Sequence, residues 1–473
     1  MTRFHQVARL FDLGVRGEGN QNPHGKGDTA RNGAHGRLHG LLLAFVSALP
    51  AYAVDLPEPL TDDHFIQFDR RQAEIGQLLF YDKILSGNRN ISCGTCHHHD
   101  LGSSDGLSLG IGEGGEGRGP DRTAGKGADR VQRRIPRNAP ALWNLGAHEV
   151  RFMFHDGRIS ASRLYDNGFN TPAEEFLPRG LNSLLAAQAL FPMASDAEMA
   201  GQPGENEVAG AIRERMDHAW PIIAKRVRGI GEYGRLFVNA FENVDNPSDV
   251  TIVEIANAIG AFIGTEFRNH DSPFDRYLEG QGNALTARQL RGMKLFFGDA
   301  RCSDCHGGPL LSGQTFHALG LPQFGPGRTR RFDPSARDVG RMGESDDLRD
   351  AYRFRVPFLR NVALTGPYGH NGSMPTLNDM VRHHLRPAES NIAWRPEMAI
   401  LPPAPWLAAV DYVARQDRLE TRRLLAAIEI DLPPLSDRQI SDLVAFLHAL
   451  TGETALERPM GRPERVPSGL PVD

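Results

Sequence analysis

Apolar residues recur at helical spacing in two segments that answer each other. Ile75, Leu78 and Leu79 share a face of the segment that closes on Gly76-Gln77-Leu78-Leu79-Phe80-Tyr81. Leu290, Met293 and Phe297 share a face of the segment that closes on Gly292-Met293-Lys294-Leu295-Phe296-Phe297. Thr286 with Gln289 forms the capping-box pattern that opens the second of these helices. From Glu207 to Phe267 the chain reads as mostly amphipathic helix, with Ile252, Ile255, Ala256 and Ile259 as a core-facing stripe. A further helix is expected near Leu181 to Leu190. Ser436-Asp437 caps a last one through Leu450, with Ile440, Leu443, Val444 and Leu447 inward. Polar, glycine-bearing stretches separate these patterns. Gly102 to Asp129 reads as a long loop, Asn167-Gly168 and Pro178-Arg179-Gly180 as turns, and the tail beyond Gly452 as loose.

Two more landmarks repeat in the same order. Arg134-Ile135-Pro136-Arg137-Asn138 is answered by Arg355-Val356-Pro357-Phe358-Leu359-Arg360-Asn361, and Phe154-His155-Asp156-Gly157 by Gly369-His370-Asn371-Gly372. The pattern predicts a mostly α, loop-rich protein made of a tandem-duplicated domain. The boundary is expected in the polar stretch 269–283, giving an extension over 1–53, a first domain over 54–270, a second over 271–455 and a tail over 456–473.

The first 53 residues do not fit a folded domain. Arg37 and His39 precede an apolar run from Leu41 to Leu49, too short to span a bilayer, and then Ala51-Tyr52-Ala53. That order is an export signal with cleavage near Ala53, although 36 residues precede it. No later segment is expected to cross a membrane. A net charge of -5 with 23% charged residues gives no reason to expect a nucleic-acid partner.

The chemistry is concentrated in Cys93-Gly94-Thr95-Cys96-His97 and Cys302-Ser303-Asp304-Cys305-His306. Each reads C-x-x-C-H, in which two thiols capture the vinyl groups of a haem and the next His ligates its iron. The chain has four cysteines, and the two motifs use all of them. A zinc site would have to unite pairs roughly 210 residues apart and would leave both histidines unexplained. A redox dithiol wants a βαβ setting, and disulfides within such short loops would staple almost nothing. Two covalent haems also account for abundant Gly and Pro beside few aromatics, since a haem supplies apolar core itself.

With these residues in view, the chain resembles the bacterial di-haem cytochrome c peroxidases and their MauG-type relatives, over roughly Leu60 to Gly452. The resemblance rests on Ser92 to His97, Asp105-Gly106, Arg137-Asn138-Ala139-Pro140 and Phe154 to Arg158. In the second half it rests on Arg360 to Tyr368 and His370-Asn371-Gly372-Ser373. It implies two cytochrome c-like haem domains: an N-terminal haem where peroxide reacts and a C-terminal haem that receives electrons. The implied activity is reduction of H2O2 to water with electrons from a periplasmic c-type cytochrome or cupredoxin. Alternatives are a MauG-like enzyme that modifies a substrate protein, and a di-haem electron carrier without catalysis. Homodimerisation is left open.

The resemblance also assigns residues. His97 and His306 become the proximal ligands. The family's Gln with a Glu ten positions later matches Gln188 and Glu198, implying Glu198 as acid/base and Gln188 as the group that orients peroxide. Where activation-dependent relatives carry a capping His, this chain has Ile111, so the first haem is expected to be open. Fourteen residues after His370 comes His384, the implied far-side ligand of the second haem, with His383, Met380 and Met374 as alternatives. His155 stands where the family usually has a Trp between the haems. An interdomain Ca2+ is implied at Asn138, Thr365 and Pro367. His98 and His99 are expected to be exposed.

Overall fold

The computed structural model describes residues 55–330 and 333–473. The expected export signal therefore lies outside the described residues. No helix among the described residues is long and apolar enough to cross a membrane.

The chain is predominantly helical, and six helices position the sites. α1 (Arg70–Tyr81) starts at Asp69, whose carboxylate accepts from Arg71 N at 2.7 Å. α2 (Leu184–Ala189) starts at Ser183, whose hydroxyl accepts from Ala186 N at 3.1 Å. α3 (Ile252–Glu266) opens on a Thr251/Glu254 capping box. α4 (Ala287–Phe297) opens on the expected Thr286/Gln289 box. α5 (Leu377–Leu385) and α6 (Asp437–His448) open on Thr376/Asp379 and Ser436/Gln439 boxes. Each box satisfies backbone N–H groups that the first helical turn leaves unpaired.

Two helix crossings organise the interior, α1 on α3 and α4 on α6. They share one geometry. A Cβ on Gly76 would lie 1.9 Å from Ala258 O and 2.8 Å from Phe262 Cβ, and one on Gly292 would lie 2.0 Å from Asp442 O and 2.8 Å from Phe446 Cβ. In both, a glycine lets one helix rest on a carbonyl and on the side chain one turn further along its partner. Ile75, Leu79, Phe80 and Phe262 belong to one buried core, and Met293, Phe296, Leu443 and Phe446 to another. Burying a side chain of this size contributes about 1.5–3 kcal/mol.

The segment expected to be loose is docked. Ala455 and Val466 join the first core. Met460 N and Gly461 N donate to the buried Glu266 carboxylate at 2.7 and 3.1 Å. Gln77 donates to the Met460 carbonyl at 2.8 Å. Asp473 accepts from Thr95 and pairs with Lys83 at 2.6 Å. Proline and charge made this stretch look unstructured, but its order comes from partners hundreds of residues away.

Buried ion pairs cross between the earlier and later parts of the chain. Arg137 donates to Asp156 at 2.6 Å and to both oxygens of Asp338 at 2.7 and 2.8 Å. Arg134 pairs with Asp411 through two bonds of 2.9 and 3.0 Å. Small antiparallel ribbons flank these ties. Phe152–Met153, Ile159–Ala161 and Phe169–Asn170 make one, and Phe316–His317 with Phe354–Arg355 the other.

Candidate functional site

Cys93–Cys96 forms a single helical turn, with Gly94 against the Tyr81 ring at the end of α1. His97 follows directly, and its Nδ1 donates to Ser103 O at 3.0 Å. His306 is held the same way, Nδ1 donating to Leu311 O at 3.3 Å. A backbone acceptor on Nδ1 fixes the tautomer and leaves Nε2 to face a metal, the usual arrangement of ligating histidines. Burial pushes the Cys93, Cys96 and Cys302 thiols up to about 12. They are poor thiolates, unlike a redox dithiol. The four cysteines are unbridged, and no cluster of three or more His, Cys, Asp or Glu side chains gathers as a metal cage among the described residues.

The second motif opens on a largely apolar cavity of about 280 Å³, lined by Cys302, Cys305, His306, Tyr368, Met380 and His384. The ring centres of His306 and His384 are 6.3 Å apart. An imidazole nitrogen about 2 Å from a first-row metal puts each ring centre roughly 3 Å from it, so two rings flanking one metal sit about 6 Å apart. His384 Nδ1 donates to Met380 O at 2.8 Å, which leaves Nε2 available. The neighbouring His383 faces elsewhere. Its Nε2 donates to Leu319 O at 2.9 Å and its Nδ1 accepts from Ser390 at 3.0 Å. Met374 is packed in a separate cluster with Leu109, Phe324 and Trp394, while Met380 remains at the cavity wall. These residues fit a haem held by two thioethers between two imidazoles.

The first motif is built differently. Ile111 is fully buried among Leu107, Ala124 and Val131, under Ala404 and Leu407 of the later chain. Its carbonyl lies 3.8 Å from the Cys96 sulfur. The next residue, Gly112, packs on a π-helical turn over Asp196–Ala200 that carries Glu198, and Glu113 N donates to Ala197 O at 3.1 Å. Glu198 is close enough to act on the Cys96 thiol. Burial raises its carboxyl above the usual range, and the Arg158 guanidinium pulls it back. Gln188 sits in the last turn of α2, its carbonyl accepting from Phe191 N at 3.2 Å. Its side chain has no hydrogen bond among the described residues. The structure thus brings Glu198 to the first motif and shows α2 just ahead of it in the chain.

Asn138, His155, Thr365 and Pro367 all line the cavity of the second motif. His155 Nε2 donates to Asn138 O at 3.1 Å. Burial, Arg137 and Arg355 push its pKa down to about 4, so the ring is neutral at pH 7. Asn138 donates to Leu107 O at 2.7 Å. The expectation that His98 and His99 are exposed fails: they are 5% and 8% exposed. Tyr81 OH donates to His99 Nδ1 at 2.9 Å, and His99 Nε2 lies 3.7 Å from Glu266. Sequence reasoning also missed Arg122 and the effect of Arg158 on Glu198. Arg158 lies within a motif already singled out, but Arg122 sits in a glycine-rich stretch with no local mark of burial.

The sequence profile described as di-haem cytochrome c peroxidase matches residues 70–283. The chain is 30% identical to cytochrome c551 peroxidase of Pseudomonas aeruginosa over 358 residues, 73% of this chain and 83% of that protein. It is 32% identical to the cytochrome c peroxidase Ccp of Escherichia coli over 67% of this chain, a match that spans only 54% of that longer protein. Among solved structures, a MauG-like protein associated with microbial copper homeostasis superposes with a TM-score of 0.55 at 27% identity, covering 89% of this chain and 100% of that one.

Proposed function

The chain belongs to the di-haem cytochrome c peroxidase family, a family of oxidoreductases, and on that premise we propose that it reduces H2O2 to water with electrons from a small periplasmic donor. One observation carries the reading. The second motif faces an imidazole across its cavity, whereas the first carries an aliphatic Ile111 and a raised carboxylate, Glu198.

On this reading Cys93, Cys96 and His97 would hold one haem c, and Cys302, Cys305, His306 and His384 the other. Haems held there would supply the redox chemistry, for peroxide at the first site and for incoming electrons at the second. The chain's own groups do the rest. Glu198 takes a proton from one peroxide oxygen and returns it to the other. Burial raises its pKa, and the Arg158 guanidinium opposes that rise. Gln188 orients the peroxide. The Ser103 carbonyl holds His97 in one tautomer. Two electrons and two protons turn one H2O2 into two waters. His155, neutral and at the wall of the second cavity, lies on the electron route. Asn138, Thr365 and Pro367 offer oxygens to a structural Ca2+ between the halves.

Two tandem haem domains, over 54–270 and 271–455, are supported by the matched glycine crossings of α1 on α3 and α4 on α6. Low-temperature EPR of the ferric protein, before and after H2O2 without a donor, tests the reading. The expected result is a high-spin signal removed by peroxide beside a low-spin signal that peroxide leaves in place. Two low-spin signals indifferent to peroxide would sink it.

A further inference from the structure

Arg122 is 4% exposed and makes no ion pair among the described residues. All its hydrogen bonds go to carbonyls of the loop above the first motif. Nε donates to Ile111 O at 2.9 Å, Nη2 to Gly112 O at 2.9 Å and Nη1 to Gly117 O at 2.7 Å. A buried guanidinium is costly, and a planar fork is the one cationic group that can span three carbonyls in a fixed geometry.

The loop it grips is the seat of Glu198. A Cβ on Gly112 would lie 2.1 Å from Ala197 O and 2.8 Å from Glu198 Cα, so the two backbones are in direct contact. The Glu113 amide adds a bond to Ala197 O at 3.1 Å. From outside, the later chain closes on the same loop. Ser108 N donates to Ile400 O at 2.9 Å, Ile400 N donates to Ser108 Oγ at 2.8 Å, and Trp406 donates to Val131 O at 2.8 Å. The loop is therefore pinned on one side by Arg122 and on the other by residues 400–411, with the π-helical turn of Glu198 resting on its inner edge.

We propose that Arg122 is a positioning residue for the peroxide reaction, setting the place of Glu198 through the Ile111-Gly112 backbone rather than by touching any reactant. The inference rests on the reading of Glu198 as acid/base.

The test is hydrogen–deuterium exchange on the haem-loaded protein, compared with the second-order rate constant for H2O2 and the KM for the electron donor. R122Q removes the fork. The expected outcome is amide exchange about 10–100-fold faster in both 111–117 and 196–200, as for loss of hydrogen bonds from a charged group. The rate constant with peroxide falls while the donor KM is unchanged. R122K keeps the charge but not the fork, and is expected to behave like R122Q. Full recovery in R122K would assign the effect to charge and overturn the proposal, as would unchanged exchange at 196–200 in R122Q. G112A attacks the same contact from the other side with Arg122 intact, and decides the matter if R122Q does not fold. It is expected to speed exchange at 196–200, and unchanged exchange there overturns the proposal. A normal peroxide rate in E198Q, with exchange still altered in R122Q, would fault the role of Glu198 and leave the positioning in place.

Discussion

His306 and His97 are oriented alike, each by a backbone carbonyl on Nδ1, and each follows a helix that crosses its partner at a glycine. What differs is the segment packed beside each motif. In the second half, α5 delivers His384 with its ring 6.3 Å from that of His306. In the first half, a glycine-rich loop and a π-helical turn deliver Ile111 and Glu198. The scaffold is nearly indifferent to this choice, since neither core contains the residues that differ. One scaffold thus presents a helix-borne imidazole beside one motif and a loop-borne aliphatic side chain with a carboxylate beside the other.

The comparison breaks hardest at Glu198. Glu198→Gln should lower the peroxide step by about 10²–10⁴-fold, the usual worth of a positioned acid/base, and leave the EPR signal of the second site unchanged. Stopped-flow absorbance with H2O2 measures the first effect.

Arg137 ties earlier and later parts of the chain together, and Arg137→Met should cost about 3–5 kcal/mol because it strands the buried Asp338 carboxylate, while Asp156 keeps Arg158. Chemical denaturation of the haem-loaded protein reads this directly. Arg137 and its neighbours hold the carboxyls of Asp156 and Asp338 below their unfolded value of 3.8. Their contribution is therefore fully present above that value and is lost as pH falls through the depressed folded values. With Arg137 gone, burial alone raises the Asp338 carboxyl, so the gap between wild type and Arg137→Met should begin to narrow above 3.8 and close further in acid.

A finer contrast lies within α5. His384→Met should convert the second site to mixed imidazole and thioether ligation and raise its potential, while the first site keeps its own. His383→Met should leave both potentials alone and cost about 1–3 kcal/mol from two lost buried hydrogen bonds. Redox titration beside thermal unfolding separates the two. A potential shift in His383→Met would reverse the assignment.

The smallest effect concerns pH. Arg158 lowers the Glu198 carboxyl against the burial that raises it. Arg158→Gln should therefore raise that pKa further. A general base must be ionised, so the acid limb of the peroxide step should move to higher pH, measured from the pH dependence of the rate constant with H2O2.

Much of this was legible in the sequence because the signals are local. The C-x-x-C-H motifs, the capping box at Thr286 and Gln289, and the apolar stripe from Ile252 to Ile259 each occupy one turn or one helix. The resemblance pointed to His384 with His383 beside it, and only tertiary structure tells their surroundings apart: the His384 ring faces His306, whereas both nitrogens of His383 are occupied by Leu319 and Ser390. The misjudged residues share one cause. His98, His99 and the tail beyond Gly452 look polar and exposed in their own neighbourhoods, and are buried by Tyr81, Glu266 and other partners far away in the chain. Arg122 is the same case, a charge whose environment consists of carbonyls that no side-chain pattern reveals.

The docked tail bears on how the protein is made. Asp473 accepts a hydrogen bond from Thr95, inside the Cys93–Cys96 turn, across a separation of 378 residues. A contact of such span forms late, since the chain between its ends has to be synthesised and largely folded first. If Cys93 and Cys96 hold a haem as proposed, its attachment would come before this long-range contact closes. On the proposed reading, that contact would fasten the Cys93–Cys96 turn only once its thiols have reacted.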